Sequence, residues 1–298
     1  VYLSNNMPAF KRLCKDTIFM YKVSKWQTSF CIFRLSLTKP KKIMEHPIFE
    51  KIQRSPQPDF GDVISKSFEL YKKTFTQGLT HTLISLVVVI PFILIIYIPL
   101  IPMYIEMIQN AGDPYYTPTA FEDYSIAMIV GWVILVFLFS FLLQLVNMSI
   151  FGHFFKDLKR MDYGTNEDIG GYFTLLKTHF SKLFMLSLAT LGIALLAALL
   201  CYLPIFYVMI PLHWAFPIFI FNDKLSVSDT IKAAFKFGNK NWLTFAGIGI
   251  VVSIIASLGA IACYIGMIAT LFFTYIATYV TYRDTIGFED VDGISSIG

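Results

Sequence analysis

Charge is what this sequence has least of. Asp, Glu, Lys and Arg together make up 15% of its 298 residues, where a soluble domain carries about a quarter. Hydrophobic residues reach 56%, and several apolar runs are long enough to cross a bilayer. That shortage argues against an ordinary water-soluble domain. Cysteine is also rare. Cys14, Cys31, Cys201 and Cys263 form no CxxC pair and have no histidine at metal-ligand spacing, which argues against a zinc ribbon or a thioredoxin-like centre. Cys201 and Cys263 are expected as small packing residues at the outer ends of spans, with a disulfide between them as the alternative. HExxH, GxSxG, the P-loop and GxGxxG are all absent. Glu106 stands alone near a membrane end, so no pair of intramembrane carboxylates is available. No metal and no cofactor is expected, and the chain reads as non-enzymatic.

Basic residues are unevenly spread. Residues 1–43 hold nine Lys/Arg and one Asp; the remainder holds fifteen Lys/Arg and nineteen Asp/Glu. The net charge of +4 thus belongs to a basic leader and gives no reason to expect a nucleic-acid partner. The leader has no apolar core followed by a small-residue cleavage site, which argues against a signal peptide. Three readings stay open: a transit peptide, an arm drawn to anionic lipid, or upstream sequence ahead of a natural start at Met44. The third is the preferred expectation, and N-terminal sequencing that found Val1 or Tyr2 would refute it.

From residue 44 the pattern predicts an all-α polytopic membrane protein. Residues 44–58 read as a polar linker, 59–283 as the membrane domain and 284–298 as an acidic cytosolic tail, disordered from residue 287. Six spans are expected at 79–108, 125–155, 183–202, 203–221, 243–263 and 264–282. The first carries Pro91, Pro99 and Pro102 and should be bent. Three amphipathic helices are expected at 59–75, 169–182 and 225–241. With this arrangement all fifteen Lys/Arg after Met44 fall on one side, and the opposite loops have none. The positive-inside rule then puts both termini in the cytosol, and the expected location is a bacterial inner membrane.

The amphipathic segments share a spacing. Phe68 and Phe75, Phe173 and Phe180, and Phe235 and Trp242 are each seven residues apart. Lys72, Lys177 and Lys240 follow the first aromatic; Asp62, Asp168 and Asp229 precede it. Each segment leads into a hairpin of two spans, so a threefold internal repeat of surface helix plus hairpin is expected. The plainer reading of each aromatic pair is two anchors on one helix face. Polar groups inside spans are functional candidates by default. Here they are His213, Gln144 and Asn147, the last two also being candidates for bonds between helices. Gly249, Ser253, Ser257 and Ala260 form a small-residue stripe that would let another helix approach closely.

The stretch 216–245 carries a resemblance. Pro217 near a span end, the acidic turn at Asp223 and Lys224, Leu225, Ala233 in the surface helix with Phe235 and Lys240, and Trp242 entering the next span are similar to a family of bacterial integral membrane proteins. These are related to the membrane domain of some glycerophosphodiester phosphodiesterases. The resemblance implies a membrane module without the hydrolase domain. The chain also resembles a flavobacterial group named beta-carotene 15,15'-monooxygenase, which would imply a membrane oxygenase holding iron with four histidines. His46, His81, His153, His179 and His213 are too scattered to favour that. The leading expectation is a module organising membrane lipid, a membrane protein partner or a second copy of itself. A transporter or lipid-translocating protein is the alternative, because of its proline-broken spans and internal repeat.

Overall fold

The computed structural model describes residues 46–113, 115–116, 119, 125–200, 203–261 and 265–288. The expectations for the leader, for Cys201 and Cys263 and for residues 289–298 lie outside them. All regular structure among the described residues is helical: α1 (Pro47–Arg54), α2 (Phe60–Tyr97), α3 (Ile101–Gln109), α4 (Ile126–Tyr163), α5 (Thr174–Leu199), α6 (Leu203–Phe221), α7 (Val227–Lys240), α8 (Trp242–Leu258), α9 (Ile265–Thr270) and α10 (Phe273–Thr285), with 3-10 turns at Ile98–Leu100 and Gly259–Ile261.

Five helical stretches are long and apolar enough to cross a membrane: Phe60–Gln109, Ile126–Tyr163, Thr174–Leu199, Leu203–Phe221 and Trp242–Ile261. Their outer faces are bare hydrocarbon. Val87 is 70% and Leu138 62% exposed, a surface that water would not tolerate over such an area. The segment expected as a sixth span is divided. α9 ends at Thr270 and α10 starts at Phe273, and neither piece alone reaches spanning length. The prolines of the first span punctuate it as expected. Pro91 lies inside α2, while Pro99 and Pro102 open the 3-10 turn and α3, where a missing N–H is tolerated.

Four expectations need correction. The linker 44–58 contains α1, because Ile48 and Ile52, one turn apart, are fully buried and outweigh the polar composition around them. Its N-terminus is capped by the His46 ring, which accepts from Ile48 N at 3.4 Å. The tail is not free at its start: Phe288 is buried against Phe221, Tyr279 and Tyr282, and Asp284 is ion-paired. The second amphipathic helix is short, since residues 165–173 are turn and extended chain and helix begins at Thr174. The first, whose expected apolar face is Val63, Ile64, Phe68, Leu70, Tyr71 and Phe75, instead buries Val63, Ser67, Leu70 and Thr74, while Phe68 and Phe75 stay exposed on its flank. Ser67 and Thr74 tolerate burial because each hydroxyl donates to the carbonyl four residues back, at 2.6 and 2.9 Å.

The core gathers where α6, α7, α4 and α10 meet. Phe237 of α7 is wedged between Trp214 and Phe245, and the rings of Phe151 and Tyr275 stack 3.9 Å apart. α7 lies close enough on α6 that a Cβ at Gly238 would stand 2.5 Å from the Pro211 Cα. Charged side chains tie several helix ends together. Lys66 meets Asp284 at 2.9 Å, Arg283 meets Asp162 at 2.8 Å, and Lys182 donates to Asp223 O at 2.7 Å. Lys240 Nζ donates to Ile52 O and Gln53 O, both at 2.9 Å, and so caps the C-terminus of α1.

Three backbone breaks stand at corresponding places. Thr74 (φ −112°, ψ 16°) interrupts α2, His179 (φ −124°, ψ 26°) interrupts α5, and Asn241 (φ −128°, ψ 40°) separates α7 from α8. Each directly precedes the second aromatic of its pair: Phe75, Phe180 and Trp242.

Candidate functional site

A groove of about 900 Å³ runs between α6 and α8, with α10 behind it. Phe206 and Met209 of α6 supply apolar wall, and the stripe residues Gly249, Ser253 and Ser257 of α8 supply the opposite wall. The volume lies within the range of small-molecule sites. The groove exists because α8 is small-sided here. A Cβ added at Gly249 would meet no atom within 4 Å. At Gly249 the stripe therefore faces open space. Ala260 falls in the turn Gly259–Ile261, beyond the groove lining.

His213 is the polar centre of this wall. Its Nε2 lies 2.9 Å from Thr278 Oγ1, and the Thr278 hydroxyl donates to Thr274 O at 2.8 Å. With that proton committed, the His213 Nε2–H is the donor to Thr278. In the neutral ring this arrangement leaves Nδ1 as an acceptor, and it has no hydrogen-bond partner among the described residues. At one end of the groove the Trp242 indole N–H donates to Tyr207 O at 2.9 Å and the two rings stack at 6.0 Å. An aromatic with one wet edge suits a membrane interface. The groove thus offers a long apolar lining and one isolated hydrogen-bond acceptor. Thr278 is the only side chain hydrogen-bonded to His213 among the described residues, and no carboxylate pairs with it to make a charge-relay arrangement.

The other sequence candidates are dispersed. Asn147 accepts from the Ser85 hydroxyl of α2 and donates to Leu143 O at 3.1 Å, tying α4 to α2. Gln144, three residues away, is exposed and makes no hydrogen bond among the described residues. Glu106 accepts from Thr119 N at 3.1 Å. Asp223 faces His179 at 3.7 Å, and Lys224 is exposed. Phe235 is half-buried; the aromatic that fills the core is its neighbour Phe237, which the seven-residue spacing did not single out.

Sequence reasoning also missed a histidine pair. His81 of α2 and His153 of α4 meet with Nε2 and Nδ1 2.8 Å apart. They stand equally far along the chain from residue 117, within the expected loop between the first two spans, so folding that hairpin antiparallel would have revealed them. No group of three His, Cys, Asp or Glu side chains able to hold a metal occurs among the described residues.

Comparison of the chain with known protein families, curated proteins and solved structures finds no match.

Proposed function

We propose that this chain is a non-enzymatic membrane module that holds a lipid, or a molecule of similar shape, in the groove between α6 and α8. The observation that carries the reading is the groove itself: a large apolar trough along two membrane-length helices, with His213 Nδ1 as an isolated acceptor in its wall. A hydrocarbon chain would lie along the small-residue stripe, while a hydroxyl or other donor met Nδ1. One well-placed polar contact within an apolar lining is how such sites fix the orientation of a ligand.

In this reading the chain makes six passes, the last being α9 and α10 together. The ion pairs of Arg283 and Lys66 support that return, since Arg283 meets the α4 end and Asp284 meets the start of α2. The shared end carries the basic residues and faces the cytosol of a bacterial cell by the positive-inside rule. The three matching breaks support three repeated units, each a surface segment followed by a hairpin.

The test is native mass spectrometry of the full chain extracted gently from its own membrane, beside Gly249→Leu and Ser253→Leu, which fill the trough. A lipid mass retained by the parent and lost from both variants supports the proposal. A retained protein mass would instead make the stripe a contact surface for a partner. No retained mass, together with substrate-dependent flux in proteoliposomes, would replace the module with a translocating protein.

A further inference from the structure

The His81–His153 pair has more hydrogen-bond contacts than two neutral rings can satisfy. Three contacts run in a line. His81 Nδ1 faces Gln77 O at 2.6 Å, His81 Nε2 faces His153 Nδ1 at 2.8 Å, and His153 Nε2 faces Gly170 O at 3.1 Å. Both ends of the line are carbonyl oxygens, which only accept. Each contact needs one N–H, so the line needs three, and a neutral imidazole carries only one. With both rings neutral, one contact must bring two lone pairs together. One added proton supplies the missing N–H and completes all three bonds without moving an atom.

We propose that His81 and His153 together bind a single proton, and that this proton fastens the 164–173 connection onto the α2–α4 hairpin. The surroundings fit a site of this kind. His81 is buried, and its ring packs on His153, Phe154 and Tyr172 at 5.1, 4.9 and 5.0 Å. Tyr172 also leans on His153 at 4.7 Å. The connection and the start of α5 are held at two further points: the Ser149 hydroxyl donates to Tyr172 O at 2.9 Å and accepts from Leu176 N at 3.1 Å. Gly170, whose carbonyl ends the line, has φ +72°, a turn that aims the carbonyl at His153 and that a side chain would resist.

Several charged groups reach the pair. Burial of both rings works against the bound proton; from α4, Asp157 favours it, while Arg160 and Lys156 oppose it at His153. Asp157 is itself paired with Arg160 at 2.6 Å, which mutes both. From the connection come the Tyr172 phenol and Asp168, whose carboxylate accepts from Gly170 N at 2.9 Å. α2 offers the line only the Gln77 carbonyl. With no carboxylate bonded directly to either ring, the proton is shared along the line and is not drawn to one end.

The test is nitrogen-15 NMR of the full chain, histidine-labelled, in lipid nanodiscs from about pH 5 to 9, the range in which imidazoles titrate. The proposal expects three N–H protons on the pair at the acid end and two at the alkaline end, lost in one step that both rings report at a common midpoint. Hydrogen exchange at Leu176, corrected for its intrinsic pH dependence, should rise at least tenfold through the same step. In His81→Phe, neutral His153 can still donate to Gly170 O, so the Leu176 step should vanish. Two N–H protons at every pH, or two rings titrating independently to four, would overturn the proposal. So would a Leu176 step that survives in His81→Phe. Should that variant fail to fold, the proton count in the parent decides alone.

Discussion

Adding one methyl group at residue 238 should loosen the whole molecule. The Cβ of Gly238→Ala would lie 2.5 Å from the Pro211 Cα and 3.0 Å from the Pro211 N. These are backbone atoms, so no rotamer change can relieve the overlap. α7 would have to move off α6, and Phe237 beside it is fully buried between Trp214 and Phe245. Overpacking of this kind costs about 1–3 kcal/mol, and a backbone clash belongs at the upper end. Alanine's better helix propensity returns about 1 kcal/mol. The net loss is about 2 kcal/mol, or roughly 30-fold in the folded-to-unfolded ratio. Gly247→Ala in α8 is the control, because a Cβ there meets nothing within 4 Å; it should gain up to about 1 kcal/mol. Unfolding in mild detergent, followed by tryptophan fluorescence, would read both. If Gly238→Ala proves as stable as Gly247→Ala, the close crossing of α7 over α6 is wrong.

Ser226→Ala should destabilise α7 by about 1 kcal/mol, because the Ser226 hydroxyl caps it by accepting from Asp229 N at 3.1 Å; circular dichroism melting would show it. The same hydroxyl, donating at 2.7 Å, holds the Asp229 carboxyl below the usual carboxylate range, with Lys232 adding to the effect. A depressed pKa stabilises the fold above the unfolded-state value, so this small contribution should fade as pH falls through the Asp229 titration, and Ser226→Ala should flatten that part of the acid melting profile. Lys240→Met removes the ammonium that caps α1. Hydrogen bonds to a charged group are worth about 1.5–3 kcal/mol when buried, and this exposed one belongs at or below the lower end. The expected sign is faster trypsin cleavage after Arg54, with the rest of the chain intact.

The sequence revealed most where one physical force dominates. Long apolar runs dictate helices, and the five helical stretches apolar enough to cross a bilayer overlap five of the six expected spans. Caps follow local residue type too: Asp59 accepts from Asp62 N at 2.8 Å at the start of α2. Reading failed where burial is decided by contacts far along the chain. Ile48 and Ile52 look like isolated apolar residues in a polar linker until α7 lies against them. Phe288 sits in an acidic tail until Tyr279 and Tyr282 offer it a slot. Ser67 and Thr74 look like a solvent face, and only back-bonding to their own helix lets them turn inward. At the candidate site, His213 and the small-residue stripe were both visible in the sequence as separate features. That they line the same groove was not, because α6 and α8 are joined through α7 and nothing local sets how they splay. The histidine pair was hidden for the same reason, being a contact 72 residues apart.

The three backbone breaks stand where the proposed surface segments would pass into the spans. A segment that shares its solvent with charged side chains and a segment that shares it with lipid cannot follow one straight axis unless the whole helix stands upright. A single residue near φ −120° and ψ 30° redirects the chain at the cost of one or two helical bonds. All three break residues are polar: Thr74, His179 and Asn241. The Thr74 hydroxyl returns to Leu70 O at 2.9 Å, and His179 accepts or donates through Nδ1 to the Thr178 hydroxyl at 2.8 Å. The next residue is aromatic each time, and an aromatic belongs at the headgroup level. A polar residue ends one helical run and an aromatic ring opens the next at all three places, although the Asn241 Nδ2 is buried without a hydrogen-bond partner. This pattern also accounts for the seven-residue aromatic spacing: two turns of helix separate the ring on the surface segment from the ring at the membrane entrance. On this reasoning the spacing measures the distance to the break, which explains why Phe68, Phe173 and Phe235 need not be buried while Thr74 must be placed where it is.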